Sequence, residues 1–351
     1  MYYYDGAARA GRYPLDEQLH IRGEVSEGLE RQLVRLSALL PYEPAVSVME
    51  ELARVKVSDT TAWRRVQQAG QRVQALSSES VVVAMGTQPA EVGQKQLGAT
   101  MDGAMVHVRG EGWKETKIGC VFEVVAAPAP TGAAVPSRLN QAGDPLQTMT
   151  AQHQTYIFHL GGPEAFGVKL EAETTARGWA RAVNTSVTAD GAEWIWNLSA
   201  QYFATSAHVV DWYHAKTHLW NAAHVFFSTD EAAAAWVRPQ SDGLYNGQAN
   251  ALADLLDHSA LNLSAPDDLK ILRTEAGYFR THHERMQYRD FQSAGVPIGS
   301  GTVESGAKQF KARFCQSGMR WSRAGLQNAL PFRAAVMSQR FDALWRVICP
   351  F

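Results

Sequence analysis

Residues 98–127 read GATMDGAMVHVRGEGWKETKIGCVFEVVAA, and this stretch decides the fold. Apolar side chains recur around Met101, Met105, Val106 and Val108, a polar turn follows at GEGWKE, and a second apolar run begins at Ile118. Alternation on both sides of a Gly-rich turn predicts two paired strands of a hairpin. Downstream, QTYIFHLGG (154–162) predicts a third strand, and PEAFGVKLEAETTARGW (163–179) a helix opened by Pro163. VNTSVTADG (183–191) is a fourth strand, GAEWIWNLSAQYF (191–203) a helix, AHVVDWYHA (207–215) a fifth strand, and KTHLWNAAHVFF (216–227) the start of another helix. Strands that first run as a meander and later alternate with helices predict an α/β chain with a mixed sheet covered by helices. The Pro/Gly/Ala-rich stretch 127–148 between the second and third strands reads as a loop.

Upstream the period is helical. EVSEGLERQLVRLSALL (24–40) places Leu29, Leu33, Leu36 and Leu40 three and four residues apart, the stripe of an amphipathic helix. PYEPAVSVMEELARV (41–55) predicts a second helix, and VSDTTAWRRVQQAGQRV (57–73) a third with Ser58 as N-cap. A short helix, a tight turn and a helix carrying Arg64 and Arg65 outline a helix-turn-helix; an ordinary helical bundle with a polar face has the same pattern. From 216 to 290 the chain reads as wholly helical. VPIGSGTVESGAKQFKARF (296–314) is a Gly/Ser loop running into a basic helix, and NALPFRAAVMSQRFDALWRV (328–347) a closing helix. The expected organisation is a helical, helix-turn-helix-like DNA-binding region over 1–96, a sheet domain begun over 97–215, a helical insertion over 216–290, and a last helix with a basic C-terminal region over 291–351.

With 351 residues, 46% hydrophobic, the chain can bury a large core. Lys+Arg 33 against Asp+Glu 35 gives a formal charge of −2, so no bulk positive field draws it to phosphate. That sum conceals segregation. Between residues 305 and 341 there is no acid, while Lys308, Lys311, Arg313, Arg320, Arg323, Arg333 and Arg340 all fall there. Cys120, Cys315 and Cys349 form no CxxC pair, which excludes a disulfide scaffold and a Cys-rich zinc site and predicts a reduced, cytoplasmic setting. No apolar run approaches the roughly 20 residues of a membrane span. Trp194, Trp196, Trp212 and Trp220 are read as core. The His282–His283 pair in YFRTHHERMQYRDFQ lacks a carboxylate at metalloprotease spacing and is read as helix surface.

The chemistry candidates are acids where strands stop. Asp102 lies in the first strand, Asp190 ends the fourth, Asp211 ends the fifth, and Glu304 follows a Gly/Ser turn at a helix start. A carboxylate in an apolar strand is costly unless compensated, and hard divalent cations choose carboxylate oxygens. Each acid also has a plain reading: Asp before Gly is a common turn residue, and Glu in a first helical turn suits the helix dipole.

Five phrases, GRYPLDEQLHI, GATMDGAMVHVRGEGWKETKIG, TADGAEWIWNLSAQYF, VVDWYHAKTHLWNAA and VPIGSGTVESGAKQFKARFCQSGMRWS, resemble the ISKra-type insertion-sequence transposases, over roughly residues 11–345. The resemblance implies an RNase H-like mixed five-stranded sheet and a DDE transposase that cuts DNA and joins strands at the ends of the element. Asp102 and Glu304 would be its first and last acids and Asp190 the second, with Asp211 and His214 alternative or supporting groups. These acids would hold two Mg²⁺ ions, or Mn²⁺. The partners implied are double-stranded DNA, as terminal inverted repeats and target, and further copies of the chain on that DNA, with nucleoid association and no membrane. Arg64, Arg65, Lys308, Lys311, Arg313, Arg320 and Arg323 are the expected DNA contacts. The family carries a cysteine-bearing zinc ribbon ahead of PLDE, and MYYYDGAARAGRYPLDE has no cysteine, so a copy without that ribbon is expected. A non-cutting DNA-binding descendant and an RNase H-like nuclease are the alternative functions.

Overall fold

The computed structural model describes residues 3–5, 10–12, 21–22, 25–76, 81, 95–127 and 149–349. The loop expected over 127–148 therefore lies almost wholly outside the described residues, as does most of the GRYPLDEQLHI phrase.

Two short antiparallel pairs, β1 (Tyr3–Asp5) with β2 (Ala10–Arg12) and β3 (Ile21–Arg22) with β4 (Val25–Ser26), precede the helices. The main sheet has five strands: β5 (Gln96–Val108), β6 (Gly112–Ala126), β7 (Met149–Leu160), β8 (Asn184–Ala189) and β9 (Ala207–Val210). They lie in the order β7-β6-β5-β8-β9. The first three form an antiparallel meander, and β8 and β9 run parallel to β5. This mixed sheet flanked by helices is the arrangement of the RNase H-like fold. Gly110 and Gly112, at φ +77° and +76°, supply the left-handed backbone that turns β5 into β6.

Because side chains alternate along a strand, β5 feeds two cores. Ala99 and Met101 pack with Val187, Ala189, Phe166 and Leu170 on one side. Ala104, Val106 and Val108 pack with Ile118, Phe122, Val303, Phe310 and Phe314 on the other. The first side is covered by α4 (Pro163–Ala176) and α5 (Glu193–Tyr202), and its core continues into the helical insertion. That insertion comprises α6 (Trp212–Phe226), α7 (Asp230–Tyr245), α8 (Ala249–Ala260), α9 (Pro266–His282) and the short α10 (Tyr288–Ser293). Trp212, buried at its root, meets the rings of Tyr288 and Tyr245 edge-on at 4.9 and 6.3 Å.

The second side is covered by α11 (Gly301–Phe314), α12 (Arg323–Met337) and α13 (Phe341–Ile348), backed by the N-terminal helices α1 (Glu27–Leu39), α2 (Tyr42–Ala53) and α3 (Asp59–Gln74). Ser58 caps α3 as expected, its hydroxyl accepting from Thr61 N at 3.1 Å. The inner face of α3 packs on α12: Gln67 exchanges hydrogen bonds with Gly325 O and with Asn328 Nδ2 at 3.2 and 2.9 Å. Trp63 and Arg64 are left exposed. The single closing helix expected over 328–347 is instead two, because Gln339 sits at φ +57° and turns Arg340 back onto the Glu173 carboxylate.

None of the described helices is long and apolar enough to cross a membrane.

α3 closely approaches α12 at Gly70, where a Cβ would fall 2.4 Å from Asn328 O and 2.6 Å from Asn328 Cα. Backbone cannot move aside as a side chain can. Gly70→Ala is expected to lower the unfolding free energy by about 1–3 kcal/mol, read from the midpoint of urea unfolding.

Candidate active site

The register of the three parallel strands builds the site. Met101 pairs with Ala189, and Ala189 with Val210. The residues that follow them, Asp102, Asp190 and Asp211, thus form the next row across neighbouring strands. Alternation turns this row away from the Met101 core and toward α11, where Thr100 meets Thr302 at 3.2 Å between hydroxyls. Glu304 lies in the first turn of α11, where the helix dipole favours an acid.

Each acid is held differently. Asp102 is partly buried, and one of its oxygens accepts from Gly103 N at 2.6 Å. Burial pushes its carboxyl above the usual range; the Gly103 bond opposes this, the Asp190 charge adds to it, and Lys311 and His214 pull it back. Asp190 accepts from Ala192 N at 2.9 Å in the turn that starts α5.

Asp211 is fully buried and engaged on both oxygens. Oδ1 accepts from His214 N at 2.8 Å, capping α6, and Oδ2 accepts from Ser300 N. Trp212 N donates to Ile298 O at 2.9 Å alongside. The fifth strand therefore stops at Val210, and WYHA, expected as its continuation, is the first turn of a helix. Ser300 Oγ, next in the loop, donates to Glu304 Oε1 at 3.4 Å.

Asp211, His214 and Glu304 each offer a ligand atom, and these atoms all lie within 4.8 Å of one another. Asp102 and Asp190 stand beside this cluster and repel each other. Two carboxylates and an imidazole that converge, with two more carboxylates adjacent, form a donor set that suits a divalent cation accepting oxygen and nitrogen, with Mn²⁺ better matched than Mg²⁺ wherever His214 takes part.

The expected basic residues divide. Lys311, seven residues beyond Glu304, acts electrostatically on Asp102 and is exposed, as are Lys308 and Arg320. Arg64 is exposed, and Arg65 reaches Gln68 at 3.4 Å. Arg323 forks onto the Glu111 carboxylate at the β5–β6 turn. Arg313 is not a surface contact: it is 1% exposed, donates through Nε to Ser37 O at 2.8 Å, and lies over the rings of Tyr42, Phe314 and Trp321. Its helical phase, three residues after Phe310 and seven after Gly306, turns it inward.

His282 also departs from its surface reading. It is buried against Trp196 and close to Gly191, with its ring pulled down to about 4, chiefly by burial and then by Arg285 and His218.

Spacing did not single out Ser300, Tyr278, His218 or Glu275, all of which reach the site from the insertion or its return loop. Gly191 was the available signal: a glycine directly after Asp190 marks a close approach, and a Cβ there would fall 2.5 Å from the Tyr278 ring.

An RNase H-like α/β protein with a row of carboxylates beneath a basic helix is the class that fold and site define. The model of an uncharacterised protein family, UPF0236, matches residues 180–343, a span from just before β8 into α13 that includes Asp190, Asp211, His214 and Glu304. No curated protein matches the chain.

The pH response of Asp102 follows from its surroundings. Its carboxyl ionises at higher pH in the folded chain than in the unfolded one, so native stability falls as pH rises through that interval. Asp102→Asn is expected to melt higher than wild type at pH 7 without divalent cation, and the gain should vanish below the ordinary carboxylate range. Melting temperatures from pH 3 to 8 check this.

Proposed function

We propose that the chain is a DDE-type transposase of the ISKra kind, cleaving DNA phosphodiesters and joining strands at element ends. The observation that supports this most is the row of Asp102, Asp190 and Asp211 across the strands of an RNase H-like sheet, with the ligand atoms of Asp211, His214 and Glu304 within 4.8 Å of one another and Lys311 acting on Asp102. Asp102, Asp190 and Glu304 would hold the divalent cations, Mg²⁺ or Mn²⁺. Such cations, when bound, make an attacking oxygen nucleophilic and neutralise the leaving one.

The chain's own groups supply placement and charge. Asp190 is taken as the second acid because it follows the fourth strand directly beside Asp102, while Asp211, next in the row, accepts the N–H groups of His214 and Ser300. Asp211 acts through that bonding: it sets the loop that carries Ser300 and Glu304 against the strand ends. His214, among the ligand atoms near Glu304 and acting on Asp102, completes the cluster. Lys308, Lys311 and Arg320 lie on the exposed side of α11 and just beyond it, where cations hold the phosphates that flank a cut. Double-stranded DNA is the partner, with further copies of the chain assembled on it.

Nicking and strand transfer by the purified chain, with Mg²⁺ or Mn²⁺ and DNA carrying the native terminal repeats, test this reading. Asp102→Ala and Glu304→Ala should fall below about one-hundredth of the wild-type rate, since loss of supporting groups alone costs 10- to 100-fold. Unchanged nicking in either variant overturns the assignment.

The second acid is tested by contrast. Asp190→Asn should lose nicking while melting close to wild type. Asp211→Asn keeps the cap acceptor for His214 N but sets an amide NH2 against the Ser300 N–H, and should lose about 1–3 kcal/mol of stability, measured by chemical unfolding.

A further inference from the structure

A side chain deep in the helical insertion reaches back to the carboxylates. Tyr278, on α9, lays its ring edge against Gly191, the residue after Asp190, so closely that a Cβ there would sit 2.5 Å from Cε2 and 3.3 Å from Cδ2. The opposite constraint comes from α6. His218 stacks on the Tyr278 ring with centroids 3.5 Å apart and planes 19° from parallel. His218 Nδ1 is bonded to the buried Glu275 carboxylate at Oε2, and Glu275 Oε1 accepts from Asn221 Nδ2 at 3.1 Å. The ring is therefore fixed in position and in tilt. Its hydroxyl is buried and has no hydrogen-bond partner among the described residues.

A buried hydroxyl without a partner is uncommon and calls for one. Burial and then the negative charges of Asp190, Asp211 and Glu275 keep this phenol protonated, so it is available as a donor. Of the two site carboxylates whose field reaches it, Asp211 accepts N–H on both oxygens, while Asp190 accepts the Ala192 N–H on one.

We infer that Tyr278 is a positioning residue of the carboxylate site: its hydroxyl donates to Asp190 when a divalent cation is bound, orienting that carboxylate as a ligand. The His218–Glu275–Asn221 chain holds the phenol in place for this. By this route the insertion governs the geometry of the second acid. The inference rests on the proposed divalent-cation chemistry of Asp102, Asp190 and Glu304.

Mn²⁺ binding to the full chain, followed by electron paramagnetic resonance and by calorimetry, is the primary readout. Tyr278→Phe keeps the ring and its stack and removes only the oxygen. It should melt within a degree or two of wild type, bind Mn²⁺ about 10- to 100-fold more weakly, and lower kcat for DNA nicking with KM for DNA unchanged. Glu275→Gln, which loosens the imidazole beneath the ring, should weaken Mn²⁺ binding in the same direction by a smaller factor. Asp190→Asn serves as the reference. If wild type binds Mn²⁺ through Asp190 and Tyr278→Phe binds it equally well, the role of Tyr278 is overturned and the carboxylate site stands. If wild type binds no Mn²⁺, or Asp190→Asn binds it as well as wild type, the metal reading and this inference both fall.

Discussion

The buried carboxylate of Asp211 is the joint on which the site depends. One oxygen closes the N-terminus of α6 and the other takes the Ser300 N–H, so a single side chain ties the end of β9 both to the start of the insertion and to its return. That tie fixes the start of the helix bearing Glu304, whose body is held by its packing on the sheet and by the bonds of Tyr156 to Thr302 O and of Arg313 to Ser37 O. A fully buried charge is tolerated here because both oxygens are satisfied by N–H donors, one of them at a helix N-terminus where the dipole favours negative charge.

The same region carries an electrostatic load. Asp102, Asp190 and Asp211 form one row across adjacent strands, and Glu304 lies close to Asp211. Lys311 and His214 offset part of the repulsion at Asp102, yet burial still keeps its carboxyl above the ordinary range. Such a cluster costs stability in the free chain, and neutralising one acid relieves it. A fold of this kind tolerates the cost because the two cores on either face of the sheet are extensive and continuous with the insertion on one side and the N-terminal helices on the other.

Much of the sheet was legible from alternation alone. The hairpin of β5 and β6, the strand ending at Ala189 and the helix opened by Pro163 were each marked by period and punctuation. The acids Asp102, Asp190 and Glu304 stand out in the sequence because each breaks an apolar or Gly-rich context, but the ligand atoms that converge are those of Asp211, His214 and Glu304. Misreadings arose where local pattern carries no information about facing. Asp211 looked like the last residue of a strand, but its side chain bonds forward to His214 N and begins a helix. His282 and Arg313 sit in charged stretches that read as surface, and both turn inward against aromatic rings. The break at Gln339 has no glycine to announce it, because the Arg340–Glu173 pair across the fold holds the turn.

The sequence by itself determined the class of fold, the strand order of the acids and the separation of a basic C-terminal segment from an otherwise acidic chain, since these follow from periodicity and composition along one dimension. Only the tertiary structure decided which acids share a row, which of them already spend their oxygens on backbone N–H groups, and which cations remain exposed. It also brought Tyr278, backed by His218 and Glu275, against the turn that carries Asp190. Register between strands and the phase of packed helices are set by contacts between distant residues, and no spacing within a single stretch encodes them.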